Sequence, residues 1–295
     1  MKEKVIYALG FFDGVHLGHQ ALLRRCGELA QAMHCTPGAI TFTAHPDALI
    51  TGSAPPLINT AADRLLLLRR FGVEKVVELP FDNDMMTMPW QDFFALLIRD
   101  LGAAGLVCGH DFRFGYRGEG NPALLQQACR AVGIPCAVIP EQTLDGVAIS
   151  STYIRSLLEA GQLEQAVRFL GHPHILTGTV ITGRQLGRTL GIPTANLALP
   201  PEVVEPKHGV YACKAVVDGQ TYLAVTNVGS RPTVGGHHVT VEPWLLDFEG
   251  DLYGRELTLE LHAFLRTEQK FASLVQLQAE IQKNAAQTRK LLEKT

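Results

Sequence analysis

The first half of the chain alternates short apolar runs with helical patterns, and this alternation constrains the fold more than any other feature. A strand that is followed each time by a helix is typical of a parallel sheet with helices packed on its faces. We therefore expect an α/β domain over residues 1–171. The predicted strands are Val5–Leu9, Gly38–Phe42, Lys75–Leu79, Gly105–Gly109 and Pro135–Ile139, and the predicted helices are Gly18–Met33, Ala61–Phe71, Trp90–Leu101 and Pro122–Val132.

From about Thr177 the pattern changes to strands with no helical pattern between them. Asp218-Gly219, between two of these strands, is a strong signal for a two-residue hairpin. An amphipathic helix over Leu274–Leu292 ends the pattern. We predict a small antiparallel β-barrel with one packed helix over residues 172–295. Its predicted strands are Thr177–Thr182, Gly209–Val217, Thr221–Gly229, Val239–Leu246 and Glu256–Leu265.

Length, charge and hydropathy exclude some classes of binding partner. The chain has 295 residues, 46% of them hydrophobic, and a net charge of −3, so no basic excess indicates nucleic acid. No apolar run reaches the roughly 20 residues that span a bilayer, and no signal-peptide core is present. We expect a cytoplasmic protein that acts on small molecules, and the sequence does not specify its oligomeric state. The six cysteines form no C-x-x-C pair, so a structural zinc site is not expected.

The first predicted strand runs through a glycine-containing turn into the first predicted helix. Such a turn directs backbone N–H groups and the positive end of a helix toward an anion. His16 and His19 are three residues apart and lie on one face of that helix. The pattern predicts a phosphate site with two imidazoles beside it, and the alternative is a tight turn with incidental histidines. The full run is Gly10-Phe11-Phe12-Asp13-Gly14-Val15-His16-Leu17-Gly18-His19.

Two later segments of the first half carry polar groups next to predicted elements. The run Gly109–Gly115 follows a strand, which favours either a second wall of the same cleft or an aromatic surface loop. Ser150 is a good N-cap for a helix that begins at Ser151 and Thr152. Their hydroxyls and N–H groups, with Arg155 one turn further on, would lie where the phosphates of ATP could bind.

The second half contains a glycine- and arginine-rich run and a strand carboxylate. Residues Gly178–Gly191 lead from a strand into a loop whose glycines let N–H groups approach phosphates. Without further information, a plain loop followed by a short strand is an equal alternative. Glu242 lies on a predicted strand, where an isolated glutamate is typically an exposed residue.

Taken together, these segments resemble the bacterial bifunctional riboflavin kinase/FAD synthetase family. The first run resembles the H-x-G-H signature of nucleotidylyltransferases in its longer form G-x-F-D-G-V-H-x-G-H-Q. Residues 109–115 resemble the element G-x-D/N-F-x-F-G, and residues 149–155 resemble I-S-S-T-x-I-R. Residues 178–196 resemble the riboflavin kinase signature G-x-V-x-x-G, G-R-x-L-G and P-T-A-N, and residues 227–233 resemble N-x-G-x-R-P-T. The resemblance extends from Val5 to about Leu292.

For the first half, the resemblance implies a Rossmann-like nucleotidylyltransferase domain that transfers AMP from ATP to FMN, forming FAD and pyrophosphate. It implies that His16 and His19 act at the α-phosphate and that Arg155 acts on the leaving group. The implied nucleotide contacts are Gly10, Phe11, Phe12, Asp13, Gly14, His16, Gly18, His19, Asp111, Ser151, Thr152 and Arg155.

For the second half, the resemblance implies a riboflavin kinase that uses ATP to form FMN from riboflavin. Glu242 is the implied general base, and Asn227, Arg231 and Glu242 are the implied flavin contacts. Mg²⁺ would accompany ATP and be held by Thr194 and Asn196, which suits an ion that keeps few protein ligands. The implied contacts to this second ATP are Gly183, Gly187, Arg188, Gly191, Thr194 and Asn196.

A few positions depart from the family pattern or stay ambiguous. Asn121 and Asn284 replace residues that are commonly acidic, and Pro243 removes a strand N–H next to the expected base. His45, in a position where the family often has P-H-P, is equally consistent with a turn residue and a ligand contact. We expect His237-His238 to be solvated turn residues.

Two other functions are compatible with parts of the pattern. A flavin or nucleotide sensor with inactive sites would not require the intact set His16, His19, Thr194, Asn196 and Glu242. A different nucleotidylyltransferase fused to an unrelated barrel would not require the P-T-A-N and R-P-T runs. Both alternatives are therefore less favoured than the bifunctional enzyme.

Overall fold

The computed structural model describes residues 3–181, 192–233 and 236–293. The chain divides into two compact units, one formed by Met1–Pro56 and Arg64–Ser150 and the other by Leu57–Asp63 and Ser151–Thr295. No helix within the described ranges is long and apolar enough to cross a membrane.

The first unit contains the predicted parallel sheet. Its strands lie in the order β3-β2-β1-β4-β5, and every neighbouring pair is parallel. Because β1 is the middle strand of the five, the turn that follows it lies at the middle of the sheet's carboxyl edge. All five residues of β1 are buried. The α/β fold predicted for this half is confirmed. The strands are β1 Val5–Leu9, β2 Thr36–Phe42, β3 Lys75–Leu79, β4 Ala103–Gly109 and β5 Cys136–Ile139.

The four helices predicted for this half are present, one of them with a correction, and two further short helices lack a sequence prediction. The prediction of a helix over Trp90–Leu101 is only partly right, because the α-helix ends at Ala95 and a π-helical turn follows over Leu96–Asp100. This turn closes with a bond from Leu101 N–H to the Leu96 carbonyl at 3.1 Å. The helices are α1 Leu17–Met33, α2 Pro46–Ile50, α3 Ala61–Arg70, α4 Asn83–Thr87, α5 Trp90–Ala95 and α6 Pro122–Ala131; the short strands β6 Thr143–Leu144 and β7 Val147–Ala148 form a hairpin that was not predicted.

The second unit contains two helices, an antiparallel sheet and the last helix. The sheet order is β8-β13-β10-β11-β12-β9, and the two edge strands approach each other. A Cβ placed on Gly178 of one edge would lie 3.8 Å from Cβ of Leu197 on the other, so the barrel is nearly closed. The predicted antiparallel barrel is confirmed. Its elements are α7 Ser151–Ala160, α8 Leu163–Leu170, β8 His174–Thr179, β9 Leu197–Ala198, β10 Gly209–Val217, β11 Gln220–Thr233, β12 Gly236–Leu245, β13 Glu256–Arg266 and α9 Leu274–Leu292.

The predicted hairpin between β10 and β11 forms as expected. Val217 pairs with Gln220, and the two residues between them adopt positive φ angles, 50° at Asp218 and 77° at Gly219. These angles fit the type I′ turn that matches the twist of an antiparallel pair. In contrast, the prediction that His237 and His238 lie in a turn is wrong. They begin β12 and pair with β11, because the strand extends further toward the turn than its apolar pattern indicates.

A short segment far away in sequence, Leu57–Asp63, is built into the second unit. Leu57 forms a β-bridge with Val203, and the buried amide of Asn59 donates to the Ile175 carbonyl at 3.0 Å. Buried His174 hydrogen-bonds the Ile58 carbonyl through Nε2 at 2.9 Å. The segment therefore satisfies backbone and side-chain polar groups at the start of β8, which sequence periodicity gives no means to predict.

Candidate functional site

The turn after β1 has an unusual backbone. Phe12, Gly14 and Val15 have φ angles of 60°, 78° and 40°. A positive φ is costly for Val15 because its side chain is β-branched, and such strain concentrates at functional sites. Hydrogen bonds from Gly10 N–H to the Ile40 carbonyl at 3.2 Å and from Thr41 Oγ1 to the Phe11 carbonyl at 2.9 Å hold the turn against β2.

The two predicted histidines lie together at the start of α1. Their rings are stacked, with centroids 3.7 Å apart and planes 13° from parallel. His16 is the N-cap, and its Nδ1 accepts the His19 backbone N–H at 3.3 Å. Because Nδ1 accepts, the proton of a neutral His16 ring is on Nε2.

Burial keeps His19 neutral. Loss of solvation lowers the pKa of His19 well below 6.5, and the nearby His16 lowers it further. The rings of Phe12 and His19 make an edge contact with their centroids 5.3 Å apart, so an apolar side chain also packs against His19. Within the described residues, His19 Nδ1 is buried without a hydrogen-bond partner. His19 is therefore an uncharged imidazole in this site.

Neighbouring residues fix the position of this pair. A Cβ on Gly18 would lie 3.1 Å from the His16 ring, so glycine is needed for the ring to lie over the backbone there. Gln20 is buried and donates through Nε2 to the Val15 carbonyl at 2.9 Å, which supports the strained turn. Gly18 was predicted as part of the site, and the role of Gln20 was not.

A buried arginine that the sequence analysis missed lies beneath the turn. Arg64 is 1% exposed, and its guanidinium lies 4.3 Å from the centroid of Phe11. It donates to the Phe42 carbonyl at 2.9 Å, and burial lowers its pKa. The His45 ring makes an edge contact with the same Phe11 ring, with 4.7 Å between the ring centroids. Its Nδ1 caps α2. His45 thus has a structural role, and a ligand contact is still a prediction.

An apolar cavity of about 710 Å³ lies in the first unit near the carboxyl ends of β2, β3 and β4. Aromatic and methionine side chains supply most of its wall, and a cavity of this volume and lining suits a small planar ligand. Two of its lining residues are Phe42, whose carbonyl accepts a hydrogen bond from Arg64, and Pro46, which follows His45 in the sequence. Its lining residues include Phe42, Pro46, Ile50, Phe81, Met85, Met86, Phe93, Phe112 and Phe114.

The run after β4 forms one wall of this cavity. Phe112 and Phe114 stack with centroids 5.6 Å apart, and Phe114 bridges to Gly120. Asp111, predicted to contact the nucleotide, is exposed directly after β4, so it stands at the carboxyl edge of the sheet. Asn121, a departure from the family pattern, caps α6 by accepting the Leu124 N–H at 3.1 Å. Asparagine and aspartate are equally good in this position.

The segment predicted to contact ATP phosphates begins α7 in the second unit. Ser151 is the first helical residue, in agreement with the predicted start. Arg155 Nη2 donates to Thr152 Oγ1 at 3.3 Å, so the two side chains are adjacent. This arrangement places a guanidinium and a hydroxyl near a helix N-terminus.

The barrel contains two cavities of about 380 Å³ each that share Thr194. One is the more polar and includes Pro193 and Asp251. The other is the more apolar and includes Asn227, Glu242 and residues of α9. Asn196, two residues after Thr194, is buried, with 7% of its surface exposed. Thr194 therefore stands where a ligand in one cavity would meet a ligand in the other.

The expected base faces the more apolar cavity. Glu242 lies opposite Asn227 in the β11–β12 pairing, so both side chains point to one face of the sheet. Its Oε1 accepts a hydrogen bond from Thr240 Oγ1 at 3.3 Å. A second carboxylate, Glu268, accepts from Asn227 Nδ2 at 3.5 Å and also lines the cavity. The sequence analysis did not find Glu268, since it lies outside the strands.

Pro243 does not weaken this part of the barrel. Its carbonyl accepts the Ala195 N–H at 2.9 Å, so the backbone polar atoms of residue 243 face the Ala195 segment rather than β11. The missing N–H therefore removes no bond of the β11–β12 ladder. Asn284 is 1% exposed on α9, and its Oδ1 accepts a bond from Arg266 Nε at 3.1 Å. Arg266 thus has the Asn284 amide as a partner in addition to Glu280, whose Oε1 lies 3.6 Å from Nε.

Several predicted residues fall elsewhere. Gly183, Gly187, Arg188 and Gly191 lie outside the described residues, so their predicted contacts with ATP stay predictions. Arg231 lies on β11, where its backbone pairs with His238. Among the described residues no group of three or more histidine, cysteine, aspartate or glutamate side chains could hold a metal ion.

The chain combines a parallel α/β unit, in which a strained turn leads into a helix N-terminus of the kind that binds anions, with an antiparallel barrel that contains two adjoining cavities. Comparison with known proteins specifies the class. Residues 1–153 match the FAD synthetase family and residues 170–292 match the riboflavin kinase family.

Whole-chain relatives have the same two parts in the same order. The bifunctional riboflavin kinase/FMN adenylyltransferase of Escherichia coli K12 is 38% identical over 95% of this chain and 90% of its own length. Its counterpart in Bacillus subtilis is 32% identical over 96% of this chain and 91% of its own length. A crystal structure described as the macrolide-efflux protein from Streptococcus pneumoniae has a TM-score of 0.87 at 30% identity, covering 98% of this chain and 95% of that one. The chain belongs to the bifunctional riboflavin kinase/FMN adenylyltransferase family.

Proposed function

We propose that this chain converts riboflavin to FMN in its barrel and FMN to FAD in its α/β unit, consuming one ATP in each step. The observation that carries the proposal is the presence, in separate units, of two sites with the chemistry that each step needs. One is the stacked His16 and His19 at the start of α1, and the other is Glu242 on the cavity that adjoins Thr194.

In the α/β unit, a phosphate oxygen of FMN attacks the α-phosphorus of ATP, and the bond to pyrophosphate breaks. The nucleophile is already ionised, so no general base is required. The protein must hold two anions together and stabilise the charge that develops on the α-phosphate. His16 and His19 are proposed as hydrogen-bond donors to that phosphate, and His19 does so as a neutral imidazole, since its pKa is well below 6.5.

The remaining predicted contacts are assigned to the same step. Gly10, Phe11, Phe12, Asp13, Gly14 and Gly18 shape the turn that would receive the phosphates. Asp111 is proposed as a ligand contact from its place at the end of β4. Ser151, Thr152 and Arg155 are proposed as phosphate contacts from their motif and from the adjacency of Arg155 and Thr152. The 710 Å³ cavity is the proposed site of the isoalloxazine ring.

In the barrel, the 5′-hydroxyl of riboflavin attacks the γ-phosphorus of ATP, and ADP leaves. A neutral hydroxyl must lose its proton in this step, and Glu242 is the proposed acceptor. General base catalysis of this kind contributes about 10²–10⁴-fold. Riboflavin would occupy the more apolar cavity, with Asn227 and Arg231 as further flavin contacts, and ATP the more polar one. Thr194 lies at their junction, where the transferred phosphoryl group would pass.

Mg²⁺ is the proposed companion of ATP in both steps. The oxygens of Thr194 and Asn196 fit an ion that arrives with the nucleotide and keeps most of its ligands from phosphate and water. Bound there, the ion would offset phosphate charge. Since both steps use ATP and flavins, we place them in the cytoplasm, with small molecules as the only proposed ligands.

Separation of riboflavin, FMN and FAD by chromatography tests the proposal. Incubation with riboflavin and Mg-ATP is expected to give FMN first and FAD later. Glu242→Gln should reduce FMN formation by about 10²-fold or more, because the amide cannot accept the proton. The same variant should still form FAD from supplied FMN. No FMN from the wild-type chain, or equal loss of both activities in the variant, would refute the proposed division of labour.

A further inference from the structure

We infer that Arg113 and Arg117 bind the 5′-phosphate of FMN at the mouth of the apolar cavity and so select phosphorylated flavin over riboflavin. The inference rests on the proposed adenylyltransferase function of the first unit and assigns a specificity role within it. FMN and riboflavin carry the same ring and ribityl chain. Only an interaction with the phosphate can separate substrate from precursor.

The charged side chains that line the cavity are all positive. Arg113 and Arg117 line it, and no aspartate or glutamate is part of its wall. The rest of the wall is mainly aromatic and methionine side chains. An apolar wall with two cations suits a planar aromatic molecule that carries an anion, and a phosphate monoester has a charge of about −1.5 to −2 at neutral pH. The chain as a whole has a net charge of −3, so this local excess of positive charge is not a general property of the molecule.

Both guanidinium groups are available for a ligand. Arg113 and Arg117 are exposed, and neither has a carboxylate partner among the residues that the structure describes. The one described contact of the Arg117 guanidinium is with the ring of Tyr116, 5.1 Å from its centroid. Arginine presents a planar fork of N–H donors that matches phosphate oxygens in pairs. Two such forks at one cavity mouth would bind phosphate strongly.

The loop that carries the two arginines is held in a defined shape. Gly115 has φ of 74°, and a Cβ there would lie 2.6 Å from the backbone of Trp90. Tyr116 N–H donates to the Met88 carbonyl at 2.6 Å, and Phe114 bridges to Gly120. A loop fixed by such contacts presents its side chains from constant positions, which lowers the entropic cost of binding.

Kinetics of FAD formation from FMN and Mg-ATP test the inference. Arg113→Gln and Arg117→Gln should each raise KM for FMN about tenfold or more, with little change in kcat and in KM for ATP, because a hydrogen bond to a charged group is lost. Lumiflavin, which has the ring and no phosphate, should inhibit competitively with the same Ki in wild type and variants. That unchanged Ki shows that the ring site is intact.

Controls separate phosphate binding from general charge and from folding. Arg130→Gln removes an exposed positive charge on α6 outside the cavity and should leave KM for FMN unchanged. Kinase activity in the same preparations reports on folding of the chain. Raising the ionic strength should increase KM for FMN in the wild type and have less effect in the double variant.

The possible results are distinguishable. If the arginine variants keep the wild-type KM for FMN, or if KM for ATP rises instead, the inference is wrong, and in the second case the cavity serves the nucleotide. If the Ki of lumiflavin rises together with KM for FMN, the arginines maintain the ring site and do not recognise phosphate. If the wild-type chain forms no FAD at all, the proposed function itself fails.

Discussion

At the scale of single residues, His16 combines a structural and a proposed chemical role, and the two can be separated by substitution. Its Nδ1 caps α1, while its Nε2 is the proposed donor to the α-phosphate. Asparagine is a good N-cap and has no group in the position of Nε2. Alanine lacks both functions.

Substitution of the histidines therefore gives a specific pattern. His16→Ala and His16→Asn should both reduce FAD formation about 10²-fold or more, in the range seen when one donor to a developing charge is removed. His16→Ala should also lower the free energy of unfolding by about 1 kcal/mol, whereas His16→Asn should not. His19→Ala should show a similar loss of FAD formation. FAD formation at the wild-type rate in these variants would exclude the assigned roles, and urea unfolding measures the capping effect.

His174 predicts an acid sensitivity of the folded state. Burial lowers its pKa from 6.5 to about 4, and its Nε2 donates to the Ile58 carbonyl. The unfolded chain binds a proton at this residue below about pH 6.5, whereas the folded chain does so only near pH 4. Stability from this group is therefore present above pH 6.5 and is lost as the pH falls toward 4.

Urea unfolding at pH 7.5 and pH 5 measures this effect. Linkage gives a loss of about 2 kcal/mol at pH 5 from this one residue. His174→Gln retains a donor for the Ile58 carbonyl and does not titrate, so its pH-dependent loss should be smaller by about that amount. An identical pH dependence in wild type and variant would mean that other groups cause the acid sensitivity.

Residue-scale features were predictable where a motif or a cap has a local cause. The adjacency of His16 and His19 is predictable from their spacing at the start of α1, although His16 is the N-cap and not a helical residue. The N-cap at residue 121 follows from its side chain. Arg64 and Glu268 were not predictable, because tertiary packing determines their positions. Arg64 packs on the ring of Phe11, and Glu268 packs against Gly229. No periodicity distinguishes a buried arginine on α3 from the exposed ones.

At the scale of elements, two glycines show how the same residue type serves opposite purposes. Gly27 lies inside α1, where a Cβ would contact nothing within 4 Å. Gly115 has a positive φ, and a Cβ there would overlap Trp90. Gly27 therefore destabilises the helix relative to alanine. Gly115 is required for the loop that forms the cavity wall.

Alanine substitution should therefore change stability in opposite directions. Gly27→Ala should raise the free energy of unfolding by about 0.5–1 kcal/mol through helix propensity. Gly115→Ala should lower it by about 1–3 kcal/mol, because a non-glycine residue is strained there and must displace its neighbour. Thermal or urea unfolding of the two variants checks both signs. A stabilising Gly115→Ala would show that the loop has a different conformation in solution.

The elements themselves were largely predictable from apolar periodicity. β1, β3, β10 and α9 have the predicted limits, and the hairpin at residues 218–219 follows from its turn residues. The short strand β9, the hairpin of β6 and β7, and the π-helical turn after α5 were not predicted. Each is too short for a periodic signal, and β9 also depends on β12, a partner that is remote in sequence.

At the scale of the whole molecule, the sequence indicates two halves but not the path of the chain between them. Residues 57–63 belong to the second unit, and helices α7 and α8 are grouped with it as well. The predicted limit at residue 171 follows the end of helical periodicity, whereas the contacts of the folded chain change at residue 150. Periodicity reports local structure, and the grouping of elements is decided by packing that periodicity does not encode.

We expect one polypeptide to hold two independent active sites that communicate through FMN. The most direct test is FAD formation from riboflavin and Mg-ATP by His19→Ala, by Glu242→Gln, and by an equimolar mixture of the two. Each variant alone should form little FAD, the first accumulating FMN and the second leaving riboflavin. The mixture should form FAD, because FMN made by the barrel of one molecule reaches the α/β unit of the other. Failure of the mixture, or loss of both steps in either single variant, would contradict the claim.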